Sequence, residues 1–485
     1  MKIRLLSAIG LLFFAALRQA LAIGGVDTPP PASAPHEVTF AQPKETKLAN
    51  GLRVVVVERP GLPLLAAELL IRNGAELDPK DLAGTASMAG SLLTRGTETM
   101  SAPQIATAIE SLGGTIDSGA HWDSARATVV VMSDKAEPAL RILSDVVLHP
   151  TFKQEEIDRL KNQTLDGLRV ALRQPGSLAQ FVMGRAVFGS SAYGHSHTGT
   201  MESVAAIKRD DIVKLYQTCY VPANAALVFS GNLTLEQGTK YAEQFFGEWK
   251  GGPAPQRDAV FFDIDGWKPS NLVVDMPEAG QAAVLVARPA LKRDSPDYYS
   301  GLVANAALGN GFVSRLNREI RIKRGLSYGA RSSIDARREV GPFSAMAQTK
   351  NQSAAEVAGL MQTELKRLHT EPVQGDELKS RQAVLTGGYA RSLENNGGYV
   401  GKISAMITYD LPLDTLNKFI PSINAVTSEK VSAFATKYFD SPPSLIIIGK
   451  AAEFLEPLRK DFRDVKVIPI PELDLNRADL TKPKP

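Results

Sequence analysis

The chain has 485 residues, 44% of them apolar and 22% charged, with a formal net charge of +3. That length exceeds what one hydrophobic core usually supports, so two or more domains are expected. The near-neutral balance, with no basic stripe interleaved with aromatics, argues against nucleic acid as a partner.

Residues 1–22 read as an export signal. Lys2 and Arg4 supply a basic start, Leu5–Leu17 is an apolar run of 13 residues, and Ala20-Leu21-Ala22 fits the small-x-small cleavage rule. The run is short for a bilayer span. The mature protein, cut after Ala22, is therefore expected to be periplasmic and to carry no integral membrane segment. Residues 23–43, rich in Pro and Ala, read as a flexible leader. Asn50-Gly51 signals a turn, Leu52–Glu58 a β-branched strand and Leu65–Arg72 a second one. The spacing predicts a first domain over 44–250, a linker over 251–270 marked by Gly251-Gly252-Pro253-Ala254-Pro255, and a second domain over 271–471. Residues 472–485 read as a charged, loosely held tail. The single cysteine, Cys219, rules out an internal disulfide and lies in an apolar helical pattern, as a buried small hydrophobe would.

The two domains read as copies. A shift of 218 residues places Val213 on Val431, Tyr216 on Phe434, Tyr220 on Tyr438, Leu227 on Leu445 and Gly231 on Gly449. A constant register over such a span points to two homologous domains rather than a solenoid. Strands and long helices alternate without a βαβ rhythm. Each copy is therefore expected to be α+β, a mixed or antiparallel sheet with helices packed on one face.

Residues 84–97 read Gly-Thr-Ala-Ser-Met-Ala-Gly-Ser-Leu-Leu-Thr-Arg-Gly-Thr. This frame resembles the pitrilysin/insulinase family of zinc peptidases, which carries Gly-x-Ala-His-x-x-Glu-His there, two imidazoles gripping zinc and a glutamate acting as base. Laid on it, the histidine positions hold Ser87 and Ser91, and the glutamate position holds Gly90. The third ligand, after the run Gln154–Arg159, falls at Gly167, one residue past Asp166. No residue of this set is a zinc ligand, so the chain is expected to bind no metal and to lack peptidase activity alone.

Residues 306–330 resemble the family's Gly-rich turn, helix and Arg-x6-Tyr segment, with Arg321 and Tyr328 as the matching pair. Read from composition alone, Arg321 closes a helix before the cap Gly325 and Tyr328 opens a strand. The resemblance implies instead a substrate-binding pair, a guanidinium fork for a peptide carbonyl and a hydroxyl for a developing oxyanion. Gly309-Asn310-Gly311 lacks the Gly-Lys-Ser/Thr ending of a phosphate loop. His195 and His197 sit in a polar, glycine-flanked loop with no third-ligand pattern, and His121-Trp122-Asp123 could line a cleft.

The pattern is similar to the bacterial two-subunit branch of the family, in which one subunit holds zinc and the other the Arg/Tyr pair. The resemblance implies a heterodimer with a zinc-bearing homologous subunit, zinc residing in that partner, and peptides or unfolded segments as substrates. The alternative is an inert scaffold or peptide-binding protein of the same fold.

Overall fold

A computed structural model describes residues 39–256, 262, 264 and 266–483. The expected export signal, most of the leader, His36, part of the linker and the last two residues lie outside them. Among the described residues no helix is long and apolar enough to cross a membrane.

Residues 40–483 build two six-stranded sheets. The first has the order β1-β2-β6-β3-β5-β4, formed by β1 (Lys44–Lys47), β2 (Arg53–Glu58), β3 (Leu64–Ile71), β4 (Thr115–Ala120), β5 (Ala125–Met132) and β6 (Ala225–Gly231). The second has the order β12-β7-β11-β8-β10-β9. Its strands are β7 (Asn271–Asp275), β8 (Ala282–Pro289), β9 (Ala330–Ile334), β10 (Pro342–Thr349), β11 (Ser444–Gly449) and β12 (Val465–Pro469). Strands β2 and β7 begin 218 residues apart, as do β3 and β8, so the repeat read from the sequence is a repeat of the sheet. The copies differ at one edge. There β1 pairs antiparallel with β2, whereas β12 arrives from the C-terminal side and pairs parallel with β7.

Local chemistry explains the start of the first sheet. Gly51 adopts a φ of 96°, which only glycine enters freely, and the Asn50 side chain accepts from the Leu52 amide at 3.1 Å. The β-branched run that follows is buried from Val54 to Val57, as expected of a strand covered on both faces.

Both faces of the first sheet are covered, each by helices of a different half. One face of the first sheet packs under helices of its own half, through Val54, Val56, Leu69 and Phe229. The opposite face, Val55, Val57, Ala66, Leu70 and Val228, packs under Tyr399, Val400, Ile403 and Ile407 of the helix Asn396–Thr408, from the other half. The second sheet repays this. Val274, Leu285, Ala287 and Ile446 pack under Leu178, Ala179 and Val182 of the helix Pro175–Phe188, from the first half. Each half thus lends a helix to the other half's sheet.

Both ends of the described residues are more firmly held than the composition predicts. Phe40, inside the expected leader, packs edge-on against Tyr389 at 5.7 Å, and its amide donates to Asn417 at 2.9 Å. The segment beyond Glu472, expected as a loose tail, buries Leu480 and bonds through Asn476 to Thr200 and Glu202.

Candidate functional site

The degenerate motif lies on the helix Thr85–Leu92, which buries Ala86, Met88, Ala89 and Leu92. Its start is set by Gly84, at a φ of 99°, and by Asp78, whose carboxylate accepts the Gly84 and Ala86 amides at 2.7 Å each. Burial pushes the Asp78 carboxyl up to about 8, against the pull of those two bonds. Ser87 and Ser91 are half-buried. Gly90 faces β4 so closely that a Cβ there would lie 2.6 Å from the carbonyl carbon of Gly119 and 2.8 Å from the Ala120 nitrogen. The base position therefore holds neither a carboxylate nor the room for one.

Gly167 is exposed on the helix Gln154–Ala171, with open space where a side chain would start. Its neighbour Asp166 is engaged by Arg169. Among the described residues no group of three or more His, Cys, Asp or Glu side chains is placed to hold a metal ion. Two hydroxyls and two glycines are no donor set for zinc, which takes thiolate, imidazole or carboxylate. The residues present do not fit the family's metal.

Arg321 and Tyr328 do come together. The Arg321 guanidinium carbon lies 4.8 Å from the centre of the Tyr328 ring, within cation–π range. Tyr328 is 91% exposed, the most exposed of the large hydrophobic side chains described. The helix expected here is a π-helical segment, Asn317–Lys323, a form that clusters at functional sites. Gly325 caps it as the sequence predicts, at a φ of 62°, its amide donating to Arg321 O at 3.0 Å. Tyr328 sits two residues before β9 rather than in it.

Two residues that the sequence reading passed over belong to this site. The ring of Phe312, 59% exposed, lies 4.6 Å from the Arg321 guanidinium carbon. Asn317 donates to Gly311 O at 2.9 Å and accepts from the Ala330 amide at 2.9 Å, joining the turn before Phe312 to the strand after Tyr328. An exposed aromatic beside a Gly-x-Gly turn is the available signal for Phe312. Nothing in the sequence singles out Asn317.

The histidines converge as their spacing does not foretell. The Trp122 ring lies 5.4 Å from both His195 and His197, and His121 is 6.3 Å from His197. Arg337, from the other half, stacks 4.2 Å from Trp122. Burial lowers all three histidines, His197 to about 4. Nearby, Arg338 bonds to Glu76 at 2.8 Å and to the carbonyls of Arg72, Asp123 and Thr408. These groups join the halves through stacked rings and the hydrogen bonds of Arg338 rather than as a metal site.

Comparison with known proteins follows the same division. The Insulinase (Peptidase family M16) model matches residues 53–190, which hold the degenerate motif and Gly167. The Peptidase M16 inactive domain model matches residues 206–385, which hold Arg321 and Tyr328. The "Uncharacterized zinc protease YmxG" of Bacillus subtilis is 23% identical over 82% of this chain and 96% of its own length. The "Non-peptidase homolog YmxG" of Helicobacter pylori is 22% identical, over 79% and 88% respectively. A crystal structure of a peptidase M16 inactive domain from Pseudomonas fluorescens superposes with a TM-score of 0.78 at 28% identity, covering 84% of this chain and 98% of that one. A protease from H. pylori superposes with the same TM-score at 17% identity, which speaks to the fold alone. With two models of one family matching in tandem over about two thirds of its length, and with the zinc positions filled by Ser87, Gly90, Ser91 and Gly167, the chain belongs to the M16 (insulinase) peptidase family as a member without its metal motif.

Proposed function

We propose that this chain is the substrate-positioning subunit of a two-subunit zinc peptidase in the periplasm. It would pair with a homologue that carries His-x-x-Glu-His and present Arg321 and Tyr328 to that partner's zinc. The observation that carries this reading is the contrast between the two sites. The motif helix is sealed by Gly90 against β4, while Tyr328 stands 91% exposed beside Arg321. A fully exposed tyrosine stacked on a cation contributes little to stability, so its place is better explained by a ligand or partner. Arg321 would hold a peptide carbonyl, and the Tyr328 hydroxyl would donate to the oxyanion that forms as water attacks. Zinc in the partner would supply the activated water.

The test is hydrolysis of a quenched fluorescent peptide by this chain, by the zinc-bearing homologue, and by the mixture, each with and without chelator. Turnover confined to the mixture and lost with chelator supports the pairing. Full activity of the homologue alone, unchanged on mixing, contradicts it.

A scaffold or peptide-binding role is the second reading, and the name of the H. pylori relative, a non-peptidase homologue, favours it. It predicts complex formation or peptide binding with no effect of Arg321→Ala on any turnover.

A further inference from the structure

We infer that Phe312 is a positioning residue for Arg321: its ring, with that of Tyr328, holds the guanidinium so that the N–H donors meet an acceptor oxygen of a bound peptide. This rests on the reading of Arg321 and Tyr328 as a peptide-binding pair.

Arg321 differs from the charges around it in being held by rings; Arg318, also without an ion pair among the described residues, is simply exposed. Arg315 is bound by both oxygens of Glu377, at 3.0 and 2.8 Å. Lys323 and Arg324 share Glu319, at 2.5 and 2.7 Å. Arg321, in the same stretch, has no ion pair or hydrogen bond from its guanidinium among the described residues, and its neighbours are the two rings, at 4.6 and 4.8 Å. A guanidinium with a carboxylate partner spends its donors on that partner. One held by ring faces keeps all five for a ligand, because the cation–π attraction uses charge and not N–H bonds. The chemistry this offers is an in-plane fork for a backbone carbonyl or a terminal carboxylate.

The frame that places the rings is built into the fold. Gly311, at a φ of 116°, turns the chain so that Phe312 projects outward, and Asn317 ties that turn to the start of β9, just past Tyr328. A 59% exposed phenylalanine contributes little to a core. Its worth lies in what it stacks on.

Two readouts test the inference on the full-length chain. The first is the ring-current shift of the Arg321 Nε–H resonance, assigned with Arg321→Lys. It should lie away from the value of free arginine, move toward it in Phe312→Leu, and be regained in Phe312→Tyr. The second is peptide turnover in the complex with the zinc-bearing homologue. Phe312→Leu should lower kcat/KM about tenfold, the scale of one partly desolvated cation–π contact. Phe312→Tyr should stay within twofold of wild type, as should Val313→Ala, a neighbouring exposed apolar control. A resonance unmoved by Phe312→Leu overturns the inference. So does unchanged kcat/KM in Phe312→Leu when Arg321→Ala abolishes turnover. If Arg321→Ala itself leaves turnover intact, the reading of the pair fails instead, and the resonance still decides whether Phe312 holds Arg321.

Discussion

Gly90 and Gly119 meet backbone to backbone: a Cβ on Gly90 would fall 2.6 Å from the Gly119 carbonyl carbon. The loss of the zinc chemistry is therefore not confined to side chains. The helix packs on β4 in the space that a side chain at the glutamate position would need.

It follows that restoring the motif letters does not restore the site. Ser87→His, Gly90→Glu and Ser91→His, combined with Gly167→Glu to supply the third ligand in the open space there, should still hold well under one equivalent of zinc after washing. Overpacking and a buried, unpaired carboxylate should lower stability by about 3 kcal/mol or more. Metal analysis and denaturant unfolding check both. A stoichiometric zinc content would refute the sealed-helix account.

The exchanged helices make a second expectation. Ile403 is fully buried on a sheet of the opposite half, so Ile403→Ala should cost about 2–4 kcal/mol in one cooperative transition. Residues 39–256 produced alone should aggregate, because Val55, Val57, Ala66 and Leu70 would lose their cover. A soluble, cooperatively folding half would count against this.

The histidine cluster predicts acid sensitivity. Its folded-state pKa values lie below the unfolded value of about 6.5, His197 at about 4. The unfolded chain thus binds more protons in that window, and stability present above pH 6.5 is lost as pH falls toward 4. With partial exposure discounted, His197 accounts for about 2 kcal/mol of this. His197→Gln, which keeps a polar side chain without the proton, should flatten the fall of Tm between those values. An equally steep fall in the variant would place the cause elsewhere.

The sequence carried the repeat, the strand starts and the Arg321/Tyr328 pairing, because each depends on local pattern or on a shared motif frame. It did not carry what depends on which surfaces meet. The apolar positions of Asn396–Thr408 say that the helix is buried, not that it lies on the sheet of the other half. His197 is 75 positions from Trp122, and only the fold brings it there and beside His121. The tail reads as loose because Leu473, Leu475 and Leu480 are spread among charged residues and prolines, and three apolar side chains at uneven spacing give no period to read. The π-helical turn at Arg321 was invisible because its residues favour an ordinary helix equally well.

The most direct test is turnover in the assembled complex with Arg321→Ala and with Tyr328→Phe, assembly being followed by size-exclusion chromatography. Both side chains reach the surface, so folding and assembly should survive, with stability within about 0.5 kcal/mol of wild type. The account predicts kcat/KM lower by about 10²- to 10³-fold in each variant, the scale of one lost oxyanion donor. Wild-type turnover in a complex assembled from both variants would contradict it and leave the chain a scaffold.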